Sequence, residues 1–230
     1  MKLMRVLVAS VSIALVALAC GSSDSASSGP APPLGQTQSG VATYYAATGA
    51  GACSFDASPN DLDVAAMNAV EFAGSAVCGS CVDVVGPKGK VTVRIVDLCP
   101  ECPKGHLDLS QQAFGKIADL SAGRVSISWT VVPCNVSGPV QYHFKDGSSQ
   151  YWTAIQVRNH KVPVTKLEVQ KSGGAWTEVT RADYNYFVVT NGVGPGAFRV
   201  RITGQGGATL EDSFTGVTEN ATVAGTGQFP

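Results

Sequence analysis

The sequence predicts a mainly β protein in which a small closed barrel precedes a β-sandwich. Short runs of β-branched and aromatic residues that alternate at period two dominate the chain, and turn signals rich in glycine, asparagine and aspartate separate them. Charged residues make up only 14% of the 230 positions. Of the seven cysteines, all but Cys20 lie between Cys53 and Cys134. The second half must therefore be held together by packing alone, so we expect a domain boundary near Cys134.

The N-terminal 39 residues are predicted to lie outside both domains. Residues 1–19 have the pattern of a secretory signal, with two basic residues before an apolar run that is short for a membrane span. The run ends in a sequence similar to a bacterial lipoprotein processing site. This favours lipidation of Cys20 over ordinary cleavage nearby, which would leave a free thiol. Residues 20–39 are rich in Ser, Gly and Pro, so we expect a flexible tether.

The first domain, residues 40–136, is predicted to be the barrel. On its first strand Thr43 and Tyr45 face the same side. Ser110 is the expected N-cap of a short helix, because the apolar residues after it have helical spacing. Many short strands with one helix favour a small closed barrel. The predicted strands span residues 40–45, 64–68, 81–85, 91–97 and 125–132.

The second domain, residues 137–230, is predicted to be an immunoglobulin-like β-sandwich. It has six predicted strands, turn signals between them and no helical pattern. The aromatic residues embedded in alternating strands of the two domains are expected to lie in the cores; they are Trp129, Trp176, Phe187 and Phe198. The predicted strands span residues 140–144, 153–158, 165–169, 176–179, 186–189 and 197–203.

Two carboxylates at the ends of one short loop form a candidate site. The strand 91–97 ends at Asp97, and the chain returns through residues 106–108 to place Asp108 in the same neighbourhood. Cys99 and Cys102 lie within the loop and can staple it. We expect the two carboxylates to lie close to each other.

Composition and spacing exclude several other classes of site. The formal net charge is −1 and no basic stripe occurs, so no nucleic acid partner is expected. His106, His143 and His160 lack metal-ligand spacing, and we expect neither a metal nor a cofactor. Six cysteines in an exported chain indicate disulfides, although spacing alone leaves their pairing open.

Several motifs together carry a family resemblance. In the first domain they are Ala42-Thr43-Tyr44, Val96-Asp97-Leu98 and His106-Leu107-Asp108-Leu109-Ser110. In the second they are residues 145–149, Trp152, residues 154–161 and residues 183–185. This chain resembles the microbial expansins from Gly40 to Pro230. The resemblance implies a six-stranded double-psi barrel followed by a carbohydrate-binding sandwich.

The resemblance also implies an activity and a set of groove residues. Such proteins loosen plant cell walls without measurable hydrolysis, by letting polysaccharide chains slip. The groove would use Thr43, Asp97 and Asp108. The family often has tyrosine two residues after the first aspartate, where this chain has Cys99. Resemblance to plant members implies the disulfides Cys53–Cys78 and Cys81–Cys134, with Cys99–Cys102 as the remaining pair.

In the second domain the resemblance points to an aromatic cellulose-binding surface. Its residues would be Tyr151, Trp152 and Tyr184, with Lys145 at the edge. Neighbours on a regular strand point to opposite faces, so Tyr151 and Trp152 can both face outward only from an irregular segment. The position of Tyr186 stays open.

A hydrolytic role lacks one component. Glycoside hydrolysis ordinarily needs two carboxyl groups. Asp108 occupies the position at which related barrel hydrolases have their general acid, but the position of their base is Ala46 here. We therefore expect a non-enzymatic protein that binds cell-wall polysaccharide. The alternative is a lytic enzyme acting on peptidoglycan or β-glucan, with Asp108 as acid.

The expected partner is cellulose, with xyloglucan and peptidoglycan as alternative polysaccharides. We expect an exported monomer that is either extracellular or anchored at the cell surface through a lipid on Cys20. That lipid would be its sole contact with a membrane.

Overall fold

A computed structural model describes residues 29–230 as a closed six-stranded barrel followed by two four-stranded sheets. The predicted fold class is confirmed. The predicted signal at residues 1–19 and the predicted lipidation site Cys20 lie outside the described residues. Within residues 29–230, no helix is both long enough and apolar enough to cross a membrane.

All five strands predicted for the barrel are present, together with two elements that were not predicted. One is the four-residue helix α1, and the other is strand β5, where the sequence predicts a returning loop. Helix α2 begins after Ser110, whose Oγ accepts a hydrogen bond from the Ala113 amide at 3.0 Å, as predicted. The barrel elements are β1 Thr37–Tyr45, β2 Val64–Asn68, α1 Ala69–Phe72, β3 Cys81–Gly86, β4 Gly89–Cys99, β5 Leu107–Ser110, α2 Gln111–Ile117 and β6 Val125–Val132, with a 3₁₀ turn at Leu120–Ala122.

The barrel closes in the strand order β1-β5-β2-β4-β3-β6. Strands β1 and β5 pair in parallel, as do β2 and β4. Trp129 on β6 is fully buried, and its Nε1 donates a hydrogen bond to the Gly105 carbonyl at 2.9 Å. A Cβ on Gly40 would lie 1.8 Å from that same carbonyl oxygen, so only glycine fits there. These contacts hold the loop before β5 against the barrel wall.

The second domain packs two sheets face to face, in the orders β10-β9-β12-β13 and β11-β8-β7-β14. All six predicted strands are present, and two further strands, β13 and β14, were missed. The carboxylates Glu211 and Asp212 interrupt the apolar pattern of β13, but Asp212 is buried and accepts a hydrogen bond from the Tyr142 hydroxyl at 2.8 Å. The strands are β7 Gln141–Phe144, β8 Thr153–Arg158, β9 Val164–Lys171, β10 Trp176–Glu178, β11 Phe187–Val189, β12 Phe198–Gly204, β13 Thr209–Phe214 and β14 Thr222–Ala224.

One of the four predicted core aromatics is misplaced. Trp129, Phe187 and Phe198 are buried, but Trp176 is only partly buried and lies in the three-residue edge strand β10. The guanidinium carbon of Arg201 lies 4.0 Å from the Trp176 ring centroid. The ring is therefore covered by an arginine through a cation–π contact on the outer face, and not by the apolar core.

Three disulfides occur in the described part of the chain. They join Cys53 to Cys78, Cys81 to Cys134 and Cys99 to Cys102, with Cα–Cα separations of 5.4, 5.1 and 5.4 Å. These are the pairs that the family resemblance implies.

Buried polar contacts join the barrel to the sandwich. The Cys53 carbonyl accepts hydrogen bonds from Gln156 Nε2 at 2.9 Å and from Asn185 Nδ2 at 3.1 Å. The Ser75 hydroxyl donates to the Ala182 carbonyl at 2.8 Å. Gln156 and Asn185 are both buried. Because the Cys53–Cys78 bridge fixes the loop that carries this carbonyl, the bridge also supports the contact between the two domains.

Part of the predicted tether belongs to the folded structure. Strand β1 begins at Thr37, and the Gly35 amide donates to the Val131 carbonyl at 2.9 Å. The Leu34 amide donates to Gln205 Oε1 at 2.8 Å, and its side chain packs against the cores of both domains. The prediction of a free tether over residues 20–39 is thus wrong for residues 29–39, because a partly buried leucine and paired backbone amides outweigh a Ser/Gly/Pro-rich composition.

Candidate functional site

A transverse row of residues from four neighbouring strands crosses one side of the barrel. Thr43 on β1 pairs with Asp108 on β5, Asp108 pairs with Ala66 on β2, and Ala66 pairs with Asp97 on β4. Neighbouring strands lie about 4.8 Å apart, so the row is roughly 14 Å long. The three predicted groove residues are therefore brought together on one surface.

The expectation that Asp97 and Asp108 lie close together is wrong. Strand β2 runs between them, so their backbones are about 9–10 Å apart. The physical reason is the strand order: β2, which comes earlier in the chain, pairs with both β4 and β5. The short loop in the sequence gave no indication of the inserted strand.

Asp97 forms hydrogen bonds with the backbone of two segments. Its Oδ1 accepts hydrogen bonds from the amides of Ala52 at 2.7 Å and Leu98 at 2.9 Å. A Cβ on Gly51 would lie 2.4 Å from the carboxyl carbon, so the loop can approach this closely only with glycine. Asp97 thus anchors the loop that follows β1 to the end of β4.

Thr43 lies between a carboxylate and a histidine. Its Oγ1 lies 2.5 Å from Asp108 Oδ1 and 2.9 Å from His106 Nε2. His106 is only 6% exposed, and burial, followed by the positive charge of Arg124, lowers its pKa, which makes the ring neutral at neutral pH. Sequence reasoning placed His106 in the family motif and rejected it as a metal ligand, but it assigned the imidazole no role at the site. The signal that it missed is its position two residues before Asp108, the spacing that places two side chains on one face of a strand.

Tyr45 extends the row along β1. It follows Thr43 by two residues, and its ring packs against the Cys99–Cys102 disulfide. Burial, followed by the negative charges of Asp97 and Asp108, raises the pKa of the Tyr45 phenol above its usual range. The Tyr45 hydroxyl on β1 is therefore close to Asp97 and Asp108. Its ring lies next to Cys99, which occupies the position where the family often has a different tyrosine.

The stapled loop is also held from beneath. Glu71, which is 4% exposed, accepts hydrogen bonds on Oε2 from the Gly105 amide at 2.9 Å and from Asn68 Nδ2 at 2.6 Å. Asn68 Nδ2 also donates to the His106 carbonyl at 3.2 Å. Neither Asn68 nor Glu71 was identified from the sequence, since a lone acidic residue in a short apolar helix is not a distinctive pattern.

The sandwich presents exposed aromatic rings. Tyr151 is 76% exposed, Tyr184 is 37% exposed, and Trp152 is half-buried. Tyr151 and Trp152 lie in a bend before β8, which is the irregular segment that their common orientation requires. Tyr186, left open by the sequence, is buried; its ring lies 5.9 Å from that of Tyr184, and Lys145 Nζ lies 5.9 Å from its centroid.

An apolar cavity lies where the barrel meets the sandwich. It has a volume of about 390 Å³, and its wall includes Phe72 and Leu98 from the barrel and Tyr184 from the sandwich. Leu98 is the neighbour of Asp97 on β4. The cavity wall therefore has residues from both domains, and of the proposed cellulose-binding residues it includes Tyr184.

The described residues contain no evident metal centre. Between Gly29 and Pro230, no group of three or more His, Cys, Asp or Glu side chains is arranged to hold a metal ion. The row and the adjacent His106 carry hydroxyl, carboxylate and imidazole groups that can form hydrogen bonds.

Comparisons with known proteins agree with this architecture. A family model described as lytic transglycolase matches residues 37–129. The protein named Expansin-YoaJ of Bacillus subtilis (strain 168) is 42% identical over 201 residues, which cover 83% of this chain and 86% of that protein.

Two solved structures of the Clavibacter michiganensis expansin are also similar. The apo form has a TM-score of 0.77 at 34% identity, and an aspartate-to-asparagine mutant in complex with cellohexaose has a TM-score of 0.78 at 32% identity. Each alignment covers 85% of this chain and 99% of the other. The chain belongs to the bacterial expansin family.

Proposed function

We propose that this protein binds cellulose and loosens cell walls without cleaving glycosidic bonds. The observation that carries the proposal is the row Thr43–Asp108–Ala66–Asp97, in which Asp108 binds Thr43 with one oxygen and can offer the other to sugar, whereas Asp97 Oδ1 accepts from two backbone amides. Family membership and the cellohexaose complex of the Clavibacter expansin support a β-glucan ligand.

The row suits competition with hydrogen bonds between glucan chains. Asp108 and Thr43 offer acceptors and a hydroxyl to sugar hydroxyls. A protein hydrogen bond contributes about 0.5–1.5 kcal/mol net, or about 1.5–3 kcal/mol when one partner is charged. Hydrogen bonds of this strength can replace the hydrogen bonds between glucan chains one at a time. They are far too weak to lower the barrier to glycosidic bond cleavage by themselves.

The aromatic side chains supply adhesion. Glucan chains in cellulose present flat CH faces, against which exposed rings bury apolar area. We infer that Tyr151, Trp152 and Tyr184 provide this surface and that Lys145 contacts sugar oxygens at its edge. Their exposure and the irregular segment before β8 support this assignment.

The absence of a suitably placed second catalytic carboxylate argues against hydrolysis. Retaining and inverting glycosidases use two carboxyl groups with distinct roles. Asp97 Oδ1 is occupied by two amides, and residue 46, where related hydrolases carry their base, is alanine. A lytic activity is the second candidate, because the family model that matches the barrel is described as lytic transglycolase. In that case Asp108 would act as the general acid.

We infer that the protein works outside the cell. Three disulfides are typical of an extracellular protein. Lipidation of Cys20, a monomeric state and the choice of cellulose over xyloglucan or peptidoglycan remain predictions.

One paired assay tests the proposal. The purified protein should begin no later than Gly29, because the residues that follow pack against both domains. Extension of heat-inactivated wall strips under constant load and release of reducing sugar are measured on the same samples. We expect extension without sugar release, whereas sugar or muropeptide release that scales with protein concentration would support the lytic candidate instead.

A further inference from the structure

The hydrogen-bonded chain formed by His106, Thr43 and Asp108 has two chemically different directions. A threonine hydroxyl has one proton, so it donates to only one of its two partners. In the first direction, His106 Nε2–H donates to Thr43, which donates to an ionised Asp108. In the second, a protonated Asp108 donates to Thr43, which donates to a bare His106 Nε2. The two directions differ in whether Asp108 is a hydrogen-bond acceptor or an acid.

The surroundings of the imidazole favour the first direction. His106 Nδ1 is buried and has no hydrogen-bond partner within residues 29–230. In the second direction a neutral ring carries its proton on Nδ1, where this N–H would be a buried donor without an acceptor, and such groups are costly. In the first direction Nδ1 is a bare acceptor, and among buried backbone groups an acceptor without a partner is less rare than an N–H without one.

The contact between Thr43 and Asp108 agrees with the same direction. Their oxygens are 2.5 Å apart, within the range of about 2.5–2.7 Å typical of a hydroxyl that donates to an ionised carboxylate. Asp108 itself is only partly buried, so its second oxygen can accept from a ligand.

The position of the ring is held by its backbone. The His106 amide donates to the Pro103 carbonyl at 3.0 Å, and its carbonyl accepts from Asn68 Nδ2 at 3.2 Å. Glu71 in turn accepts hydrogen bonds from Asn68 and from the amide of Gly105, the residue before His106. The backbone of His106 is therefore held independently of Thr43 and Asp108.

We propose that His106 is a positioning residue whose Nε2–H directs the Thr43 hydroxyl onto Asp108 Oδ1, and so orients Asp108 to accept from sugar hydroxyls through its second oxygen. This inference rests on the proposed wall-loosening function. In this direction Asp108 accepts from Thr43, which is the role of a ligand-binding acceptor and not that of a general acid.

The tautomer of His106 tests the direction without any assay of function. The protein is labelled with ¹⁵N at histidine, of which the chain has three, and His106→Gln assigns the signal by its loss. We expect a pyrrole-type shift for Nε2 and a pyridine-type shift for Nδ1. The reverse pattern would overturn the proposal, since it requires the hydroxyl of Thr43 to donate to His106.

Two substitutions of His106 test whether its N–H donor contributes to wall extension. His106→Gln retains a distal N–H donor, whereas His106→Leu has similar bulk and no donor. We expect His106→Leu to lower the wall-extension rate by about fivefold, the loss appropriate to one hydrogen bond, and His106→Gln to restore most of it. Pelleting with cellulose should be unchanged in both variants. Equal extension rates for the wild type and His106→Leu would overturn the positioning role.

The two measurements separate this inference from the proposed function. A wild-type protein that does not extend walls contradicts the function, whereas the tautomer still tests the direction of the chain. If His106→Leu does not fold, as judged by its thermal midpoint, the tautomer in the wild type decides the proposal by itself.

Discussion

Replacement of Asp108 by asparagine tests the central chemical argument. Asparagine has nearly the same size and can still accept a hydrogen bond from Thr43, but it can neither ionise nor donate a proton as an acid. A hydrogen bond to a charged group contributes about 1.5–3 kcal/mol and a neutral one about 0.5–1.5 kcal/mol. The substitution should therefore weaken each Asp108 contact by about 1–2 kcal/mol, which corresponds to a loss of roughly 5- to 30-fold.

The assay compares wall extension with cellulose pelleting. The rate of extension should fall by that factor in Asp108→Asn, while pelleting, which depends on the aromatic surface of the sandwich, should stay near the wild-type value. Asp119→Asn is a matched control, because Asp119 is an exposed surface carboxylate that pairs only with Lys88 in the described structure. Release of sugar by the wild type that falls by about 10²-fold or more in Asp108→Asn would refute the reasoning, since that pattern belongs to a general acid.

Three further predictions concern adhesion, the loop and acid stability. Trp152→Ala combined with Tyr184→Ala should abolish pelleting with insoluble cellulose, and a folded double variant that still pellets would contradict the aromatic surface. Replacing Cys99 and Cys102 by serine should lower wall extension more than the melting temperature. A disulfide that closes so short a loop stabilises the fold by less than the roughly 3 kcal/mol expected for a 15-residue loop. A large drop in melting temperature with full activity would point to a role in folding instead. Burial lowers the pKa of His160 from 6.5 to about 4, so the unfolded chain binds more protons between these values. The free energy of unfolding should be highest above pH 6.5 and fall by roughly 3 kcal/mol towards pH 4, and a ¹H NMR titration that gives His160 a pKa near 6.5 would contradict this.

The position of His160 explains why acid should act on the junction between the domains. It is buried, its Nδ1 lies 2.9 Å from the Val162 carbonyl, and a Cβ on Gly79 of the barrel would lie 2.6 Å from its Nε2. The positive charges of Arg181 and Arg94 also lower its pKa. Protonation would place a further positive charge in this buried site.

Alternation of side chains predicted most of the fold. Every predicted strand is present, and the bounds of residues 64–68, 125–132 and 153–158 agree with those observed. The failures have local causes. Strand β13 carries acidic residues, of which Asp212 is buried because Tyr142 donates to it. Trp176 lies in an alternating run, but that run forms an edge strand whose ring is covered by arginines.

The sequence by itself determined the classes of residue at the site. Motif resemblance predicted Thr43, Asp97, Asp108 and the aromatic residues as ligand contacts, because such motifs depend on residue type at short spacing. The disulfide pairs are what the resemblance to the family implies, since spacing alone leaves them open. The composition predicted that no nucleic acid is a partner.

Only the tertiary structure decided how these residues work together. Strand order is a non-local property, and it places β2 between Asp97 and Asp108, which short loop spacing had suggested to be neighbours. The parallel pairing of β1 with β5 brings Thr43 onto Asp108 and His106 across more than 60 residues, as their separations of 65 and 63 show. The direction of that hydrogen-bonded chain depends on the partners and burial of one imidazole nitrogen. Neither the partners nor the burial of this nitrogen can be read from a sequence pattern, because hydrogen-bond geometry arises only when distant strands pair.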